Sequence, residues 1–108
     1  MITKLLNEVN GLIATELSRA NEQHPMFHSD HEAWAVAREE FMETREALED
    51  LEYEIRYLDY MTRHDDDRGI EDRIQKTYDK ALLVACEAIQ TAAMAEKWME
   101  SRRDKDVR

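Results

Sequence analysis

Apolar side chains recur at spacings of three and four residues through most of this chain, which is the period of amphipathic helices. Over residues 2–21 they form one stripe, made of Ile2, Leu5, Leu6, Val9, Leu12, Ile13, Leu17 and Ala20. Pro25 then interrupts the helix, because proline cannot donate a backbone hydrogen bond and restricts the residue before it. Ser29 is typical of an N-cap, and Glu32 three residues later completes a capping box. The pattern predicts a first helix, a break and the start of a second helix.

Two longer helices are predicted after this break, over residues 30–61 and 70–104, and each carries a heptad seam. The seam of the second helix is Trp34, Ala37, Phe41, Thr44, Leu48, Leu51, Ile55 and Leu58. The seam of the third helix is Ile74, Tyr78, Ala81, Ala85, Ala88, Ala92, Ala95 and Met99. Because this second seam is rich in alanine, we expect a neighbouring helix to approach it closely. We expect residues 63–69 to form the turn between the two helices, because Gly69 is able to take the left-handed conformation that the other residues resist.

Composition and length favour a single all-α domain over residues 1–108. Two glycines and one proline in 108 residues leave almost no means of building β-turns. We expect the second and third helices to form a long antiparallel hairpin within a multi-helix bundle. At ~1.5 Å per residue the first helix is about 30 Å long and the others about 48 Å, so part of the hairpin lacks a third helix. Covering its apolar residues predicts a homodimer or higher homo-oligomer.

Charge and cysteine content exclude several classes of partner. A formal net charge of −10 argues against nucleic-acid binding, which is driven by basic surfaces. No segment approaches the ~18 consecutive apolar residues of a membrane span. The single cysteine, Cys86, cannot form an internal disulfide, which fits a reducing compartment. We therefore expect a cytoplasmic protein without a nucleic-acid or membrane partner.

Two acidic segments stand far apart in the sequence, Glu39-Glu40-Phe41-Met42-Glu43 and Glu87-Ala88-Ile89-Gln90. If the chain reverses near residue 65, Glu43 lies level with Glu87 and Glu40 with Gln90, because both pairs are symmetric about that residue. Three carboxylates and an amide oxygen then converge, which suits a hard divalent cation such as Mg²⁺. The alternative is a solvated helix face. Asp and Glu make up 25 of the 108 residues, so acids spaced three apart also arise by chance.

These segments, with the run from His24 to Glu43 and the run from Glu87 to Ala95, resemble the MazG-like, all-α nucleotide pyrophosphohydrolase superfamily. That superfamily is marked by EExxE on one helix and ExxD on the next, and the resemblance covers residues 25–49 and 86–99. It implies cleavage of a nucleoside triphosphate to the monophosphate and pyrophosphate. It also implies that Glu40, Glu43 and Glu87 bind Mg²⁺, with Glu39 as a neighbouring acid. Gln90 stands where the motif has Asp, and the linking segment is longer than in typical members.

Three hypotheses follow: an enzyme, a non-catalytic interaction or regulatory protein, and a purely structural coiled coil. In the enzyme hypothesis, Glu40, Glu43, Glu87 and Gln90 hold Mg²⁺ and Glu39 accepts a proton from the attacking water. Trp34 would stack on the base and Lys97 would contact phosphates. A heptad position also suits Trp34 to a core, and solvated helix faces carry lysines routinely. In the alternative hypothesis, the chain is a non-catalytic helical-bundle protein with an interaction or regulatory role, whose metal site is degenerate at Gln90.

Overall fold

Three α-helices make up the protein in the computed structural model, which describes residues 2–107 and the side chains of residues 2–104. Helix α1 spans Ile2–Gln23, α2 spans Asp30–Arg63 and α3 spans Ile70–Val107, and the described residues include no strand. Each helix begins at its predicted residue and ends within three residues of the predicted end. The all-α expectation is confirmed. None of these helices combines the length and the apolar character needed to cross a membrane.

Local residue chemistry determines where α2 begins and ends. Ser29 is extended, with φ −153° and ψ 164°, and its Oγ accepts a hydrogen bond from the Glu32 N–H at 3.1 Å. In the turn after α2, Gly69 has a φ of 75°, as the sequence predicts. Asp65 also adopts a left-handed φ of 51°, which the sequence analysis does not anticipate. Aspartate is one of the few residues with a side chain that tolerate this conformation.

Polar contacts mark the line along which α2 meets α3. Near the start of α2, the Trp98 Nε1–H donates to Asp30 Oδ1 at 2.8 Å. Near its end, Glu54 Oε2 accepts from Arg73 Nη1 at 3.2 Å. Residue numbers therefore rise along α2 as those of the contacting residues fall along α3. This pairing brings the two acidic segments to the same level of the bundle.

The structure corrects the predicted seam of α3. Arg73 and Thr91 contact α2, whereas the predicted seam starts one residue after Arg73, at Ile74, and points away from α2. Its exposed members are Ile74, Tyr78, Ala81, Ala85, Ala88 and Met99. Two stripes one residue apart on a helix share the same spacing of three and four. Periodicity therefore does not decide which stripe meets the partner helix. In the structure, the stripe with Arg73 and Thr91 does.

Both long helices leave apolar side chains exposed on one common side. We call this side the open face, and its members, each 46–64% exposed, are Trp34, Leu48, Ile55, Ile74, Tyr78 and Met99. Ile55 and Ile74 each directly follow a member of the Glu54 and Arg73 ion pair. A helix turns about 100° per residue. Because residue numbers rise along α2 as those of the contacting residues fall along α3, that one-residue step points to the same side of the pair.

Helix α1 packs against α3, and among the described residues no Cα of α1 lies within 8 Å of a Cα of α2. The Gln90 amide Nε2 donates to Glu16 Oε2 at 2.9 Å, and Lys97 Nζ donates to the Ala20 carbonyl at 3.4 Å. Residue numbers rise together in these contacts, so α1 and α3 run in the same direction. Gln90 and Lys97 each directly precede a residue that contacts α2. Helix α1 therefore lies on the side opposite the open face.

The apolar interior of a single chain is small. Among residues 2–104, seven apolar residues are buried and four of them are alanines: Leu17, Phe27, Ala33, Ala37, Ala47, Met61 and Ala93. A fully buried Leu, Met or Phe side chain contributes about 1.5–3 kcal/mol, and a single methyl group about 0.8 kcal/mol. One chain alone thus gains little hydrophobic stabilisation for its length.

Candidate metal centre

Three of the predicted cation ligands lie together where α2 meets α3. Glu40 and Glu43 are three residues apart on α2, so their side chains leave the same side of the helix. Glu87 comes from α3. One carboxylate oxygen of each residue lies within 4.8 Å of those of the other two. We call these three residues the acidic cluster; Glu40 and Glu87 are half-buried in it and Glu43 is exposed.

The acidic cluster concentrates negative charge. Burial raises the pKa of Glu40 above its ordinary value of 4.5, and the charges of Glu43, Glu87 and Glu39 raise it further. Among the described residues, no Lys, Arg or His forms an ion pair with any of the three clustered carboxylates. Like charges held this close disfavour their own ionisation unless a cation joins them. The cluster therefore carries a repulsion that a bound cation would relieve.

Two threonines missed by the sequence analysis bridge the helices beside the acidic cluster. The hydroxyl oxygens of Thr44 and Thr91 lie 2.6 Å apart. The Thr44 hydroxyl oxygen is 2.9 Å from the Glu87 carbonyl, and the Thr91 hydroxyl oxygen is 3.1 Å from the Glu40 carbonyl. Each threonine follows a clustered glutamate by four residues. This Glu-x-x-x-Thr spacing, repeated on both helices, is the sequence signal that points to the pair.

Gln90, the predicted fourth ligand, is joined to α1. Its amide nitrogen donates to Glu16 Oε2 at 2.9 Å, and Glu16 Oε1 forms an ion pair with Arg19 Nη1 at 2.9 Å. A hard cation binds an amide through its oxygen. Coordination by that oxygen stays a prediction. The contribution of Glu16 has no signal in the sequence, because the periodicity of α1 does not reveal which side of the hairpin it covers.

Lys97, a predicted phosphate contact, is 1% exposed. Its Nζ donates to the Ala20 carbonyl at 3.4 Å and the His24 carbonyl at 3.1 Å, and it lies 4.9 Å from the centre of the Phe27 ring. The Ala20 carbonyl also accepts from the His24 N–H at 3.0 Å, so Lys97 adds a second donor there and supplies one to the His24 carbonyl just after α1. Burial lowers the pKa of Lys97, and the charge of Glu32 opposes that shift. Contact between Lys97 and a substrate stays a prediction.

A cavity of about 280 Å³ lies between the three helices. Glu40 belongs both to its wall and to the acidic cluster, so the cavity adjoins the cluster. Its other lining residues are Glu16, Arg19, Ala20, Gln23, His24, Val36, Gln90, Met94 and Lys97. Small-molecule sites start at about 300 Å³. The cavity is thus large enough for part of a nucleotide and presents groups of both charges.

Trp34 and Glu39 are both exposed on α2. The ring centre of Trp34 lies 5.9 Å from that of Phe41, and Trp34 belongs to the open face, so it is not a core residue of the single chain. Glu39 lies outside the acidic cluster, although its charge contributes to the raised pKa of Glu40. Their roles in base stacking and proton transfer stay predictions.

Comparisons with known proteins add no relative to this picture. No family model, curated protein or solved structure matches the chain. The MazG-like resemblance therefore rests on the sequence motifs alone.

Proposed function

We propose that this protein is a Mg²⁺-dependent nucleoside triphosphate pyrophosphohydrolase of the MazG-like type. It would convert a nucleoside triphosphate to the monophosphate and pyrophosphate. The observation that carries the proposal is the acidic cluster, in which three carboxylate oxygens lie within 4.8 Å of one another. Two of its residues come from the EExxE spacing on α2 and the third from the following helix, as the resemblance implies.

The chemistry of this donor set fits a hard divalent cation. Mg²⁺ takes oxygen ligands at about 2.1 Å, so ligands on opposite sides of the ion lie about 4.2 Å apart. Three ligands cannot all lie opposite one another, and adjacent ligands of an octahedral ion lie about 3.0 Å apart. The separations of up to 4.8 Å in the cluster must therefore shorten by side-chain rotation for at least two of the three pairs. Protein sites for Mg²⁺ commonly supply one or two carboxylates, with waters and substrate phosphates as the remaining ligands. Glu40, Glu43 and Glu87 therefore suffice without a ligand from Gln90.

Residues around the cluster would accept a proton from water and bind the nucleotide. Bound Mg²⁺ supplies polarisation of a phosphoryl oxygen and neutralisation of charge. Glu39, exposed and four residues before Glu43, is positioned on the same face of α2 to accept a proton from water. The cavity beside Glu40 provides space for part of the nucleotide, and Arg19 and Lys97 supply positive charge in its wall.

Substitutions in and near the cluster test this function. Glu43→Gln should weaken Mg²⁺ binding and leave the fold intact, because removing a like charge relieves repulsion in the metal-free cluster. Gln90→Asp should strengthen Mg²⁺ binding or raise pyrophosphate release, because it adds a carboxylate. Glu46→Gln, which alters an exposed acid on the same helix outside the cluster, is the matched control. Calorimetric titration with Mg²⁺ and a pyrophosphate assay over a panel of nucleoside triphosphates measure both effects.

Equal, weak Mg²⁺ binding by all four proteins, with no pyrophosphate released from any nucleotide, would contradict the enzyme proposal. The hydrogen bond from Gln90 to Glu16 favours the alternative in that case. The fourth motif position would then serve to join α1 to α3 in a non-catalytic bundle.

We also propose that the α2 and α3 hairpin is antiparallel and that the protein assembles as a homodimer or higher homo-oligomer through the open face. A compact monomer of 12.8 kDa exposes about 6,300 Å². This chain exposes 8333 Å², an excess of about 2,000 Å² over that scaling. Permanent dimers bury about 1,000–2,500 Å² per partner, so the excess matches what a stable interface removes.

A second copy is the partner that fits the open face. The face keeps heptad spacing on both long helices, and the same helices of another copy carry a matching apolar pattern, as a two-fold interface requires. Sedimentation velocity at micromolar concentration should show a dimer or larger species. A stable monomer under those conditions would contradict the assembly proposal and leave the enzyme proposal standing.

A further inference from the structure

The bridge between Thr44 and Thr91 joins the backbone at two residues of the acidic cluster. The Thr44 oxygen lies 3.0 Å from the Glu40 carbonyl and 2.9 Å from the Glu87 carbonyl. The Thr91 oxygen lies 3.1 Å from the Glu40 carbonyl and 2.6 Å from the Thr44 oxygen. Four oxygens from two helices thus meet at the backbone of Glu40 and Glu87, two residues whose carboxylates belong to the acidic cluster.

Two hydroxyl protons serve these four oxygens. At 2.6 Å, one hydroxyl donates to the other, and the second remains free to donate to a carbonyl. If Thr44 donates to Thr91 and Thr91 donates to the Glu40 carbonyl, the two bonds link the helices. The opposite arrangement, in which Thr91 donates to Thr44 and Thr44 donates to the Glu87 carbonyl, links them as well. Either hydroxyl alone also reaches a carbonyl of the opposite helix. Removal of one hydroxyl therefore weakens the bridge to a single bond, and removal of both abolishes it.

We propose that Thr44 and Thr91 are positioning residues that set the spacing between the Glu40 and Glu87 carboxylates and so prepare the acidic cluster to bind a divalent cation. The cation in this proposal rests on the proposed function, whereas the spacing is a property of the metal-free protein. Repulsion among the clustered carboxylates pushes α2 and α3 apart at this level. A bridge anchored on the backbone of the same two residues opposes that force where it acts.

Thr77 provides a matched control within the same helix. Its hydroxyl donates to the Arg73 carbonyl four residues earlier, at 2.9 Å, and is partly buried like the bridging hydroxyls. It has no hydrogen bond to α2 in the structure. Thr77→Val therefore removes a comparable local bond without removing a link between helices.

The test compares three variants with the wild-type protein. Thr44→Val combined with Thr91→Val should weaken Mg²⁺ binding about tenfold, as loss of residues that orient ligands commonly does. Thr44→Ser combined with Thr91→Ser keeps both hydroxyls and should bind like wild type, and so should Thr77→Val. In the metal-free protein, nitroxide labels are attached to Cys86 and to the cysteine introduced by Glu46→Cys, and the distance between them is measured. This distance should be longer, or its distribution broader, only in the double valine variant. Both label sites are exposed.

The proposal is overturned if the double valine variant keeps the wild-type distance between the labels. If the wild-type protein binds Mg²⁺, the proposal is also overturned when the double valine variant binds it with the same affinity. If that variant does not fold, Thr91→Val alone is measured, because it retains the bond from Thr44 to the Glu87 carbonyl. It should show a smaller change of the same sign. The absence of any change would overturn the proposal. If the wild-type protein binds no Mg²⁺, the proposed function fails, and the label distances alone decide whether the threonines set the spacing.

Discussion

The two ends of the α2 and α3 pair bury their residues in different ways. At the closed end, residues 16–44 and 87–104, α1 and the segment after it complete a three-part interior. Its buried residues are Leu17, Phe27, Ala33, Ala37, Ala93, Lys97 and Ser101. Even its polar groups are satisfied internally, since the Phe27 N–H donates to Ser101 Oγ at 3.0 Å.

At the turn end, residues 45–86, only Ala47, Glu54 and Met61 are buried. Glu54 is 6% exposed and pairs with Arg73, whose guanidinium carbon lies 3.9 Å from the centre of the Tyr57 ring. The apolar residues of this end, such as Ile55 and Tyr78, face solvent instead. Helix α1 runs beside α3 toward this end, since its Glu16 contacts Gln90, yet its own apolar residues here, Ile2, Leu5, Leu6 and Leu12, are exposed as well. An amphipathic pattern therefore does not close an interior by itself. The acidic cluster lies at the boundary between the two ends.

The largest expected effect comes from breaking the turn end. Leu48→Glu combined with Ile55→Glu should convert the assembly to monomer and lower its stability by at least about 3 kcal/mol per chain, because two side chains lose their burial against a second copy. Sedimentation and urea denaturation measure this. Ala35→Glu, which adds a charge at an exposed position of α2 off the open face, should leave both unchanged. Wild-type behaviour of the double variant would show that the open face has no partner.

The closed end should respond to loss of Lys97. Lys97→Met removes the donor that serves two carbonyls at the end of α1, and should lower the free energy of unfolding by about 1–3 kcal/mol. Lys76→Met removes an exposed lysine at the turn end that pairs with Asp72, and should cost less than about 0.5 kcal/mol. Urea denaturation of both variants measures the contrast. Equal stability of the two would mean that the closed end does not depend on this lysine.

The free energy of unfolding of the metal-free protein should depend on pH through Glu40, which lies at the boundary between the two ends. Because the pKa of Glu40 is raised in the folded state, that state holds the proton more tightly than the unfolded chain does. The metal-free protein then loses stability as pH rises from about 4.5 through the raised pKa. Glu40→Gln lacks this loss, so its stability relative to wild type should grow across that window. Glu46→Gln should show no such growth, and a constant difference for Glu40→Gln would refute the prediction.

The smallest effects come from two glycines, with opposite signs. Gly69 has a φ of 75° with open space around an added Cβ, so Gly69→Ala should destabilise the turn end by about 1 kcal/mol through backbone conformation alone. Gly11 lies inside α1, also with open space, so Gly11→Ala should stabilise the protein by about 0.5–1 kcal/mol. Thermal unfolding of the two variants tests the pair. Shifts of the same sign would contradict this account.

Much of the fold follows from local signals in the sequence. Proline and the serine N-cap mark the break before α2, and Gly69 marks the turn before α3. Once the turn is located, equal helical rise on both sides places Glu43 level with Glu87, which is why part of the acidic cluster is predictable. The Glu-x-x-x-Thr spacing on each helix marks the two threonines of the bridge. Predicting the bridge also requires knowing that α2 and α3 meet at Thr44 and Thr91.

The sequence by itself determines three helices, their ends and the level at which the two acidic segments lie, because caps, turns and helical rise act over a few neighbouring residues. Only the tertiary structure decides which of two adjacent stripes faces α2, which side α1 covers and where Gln90 and Lys97 direct their polar groups. These outcomes depend on pairs such as Glu54 with Arg73, Thr44 with Thr91 and Glu16 with Gln90. Partners that far apart in sequence leave no mark on the periodicity of either helix.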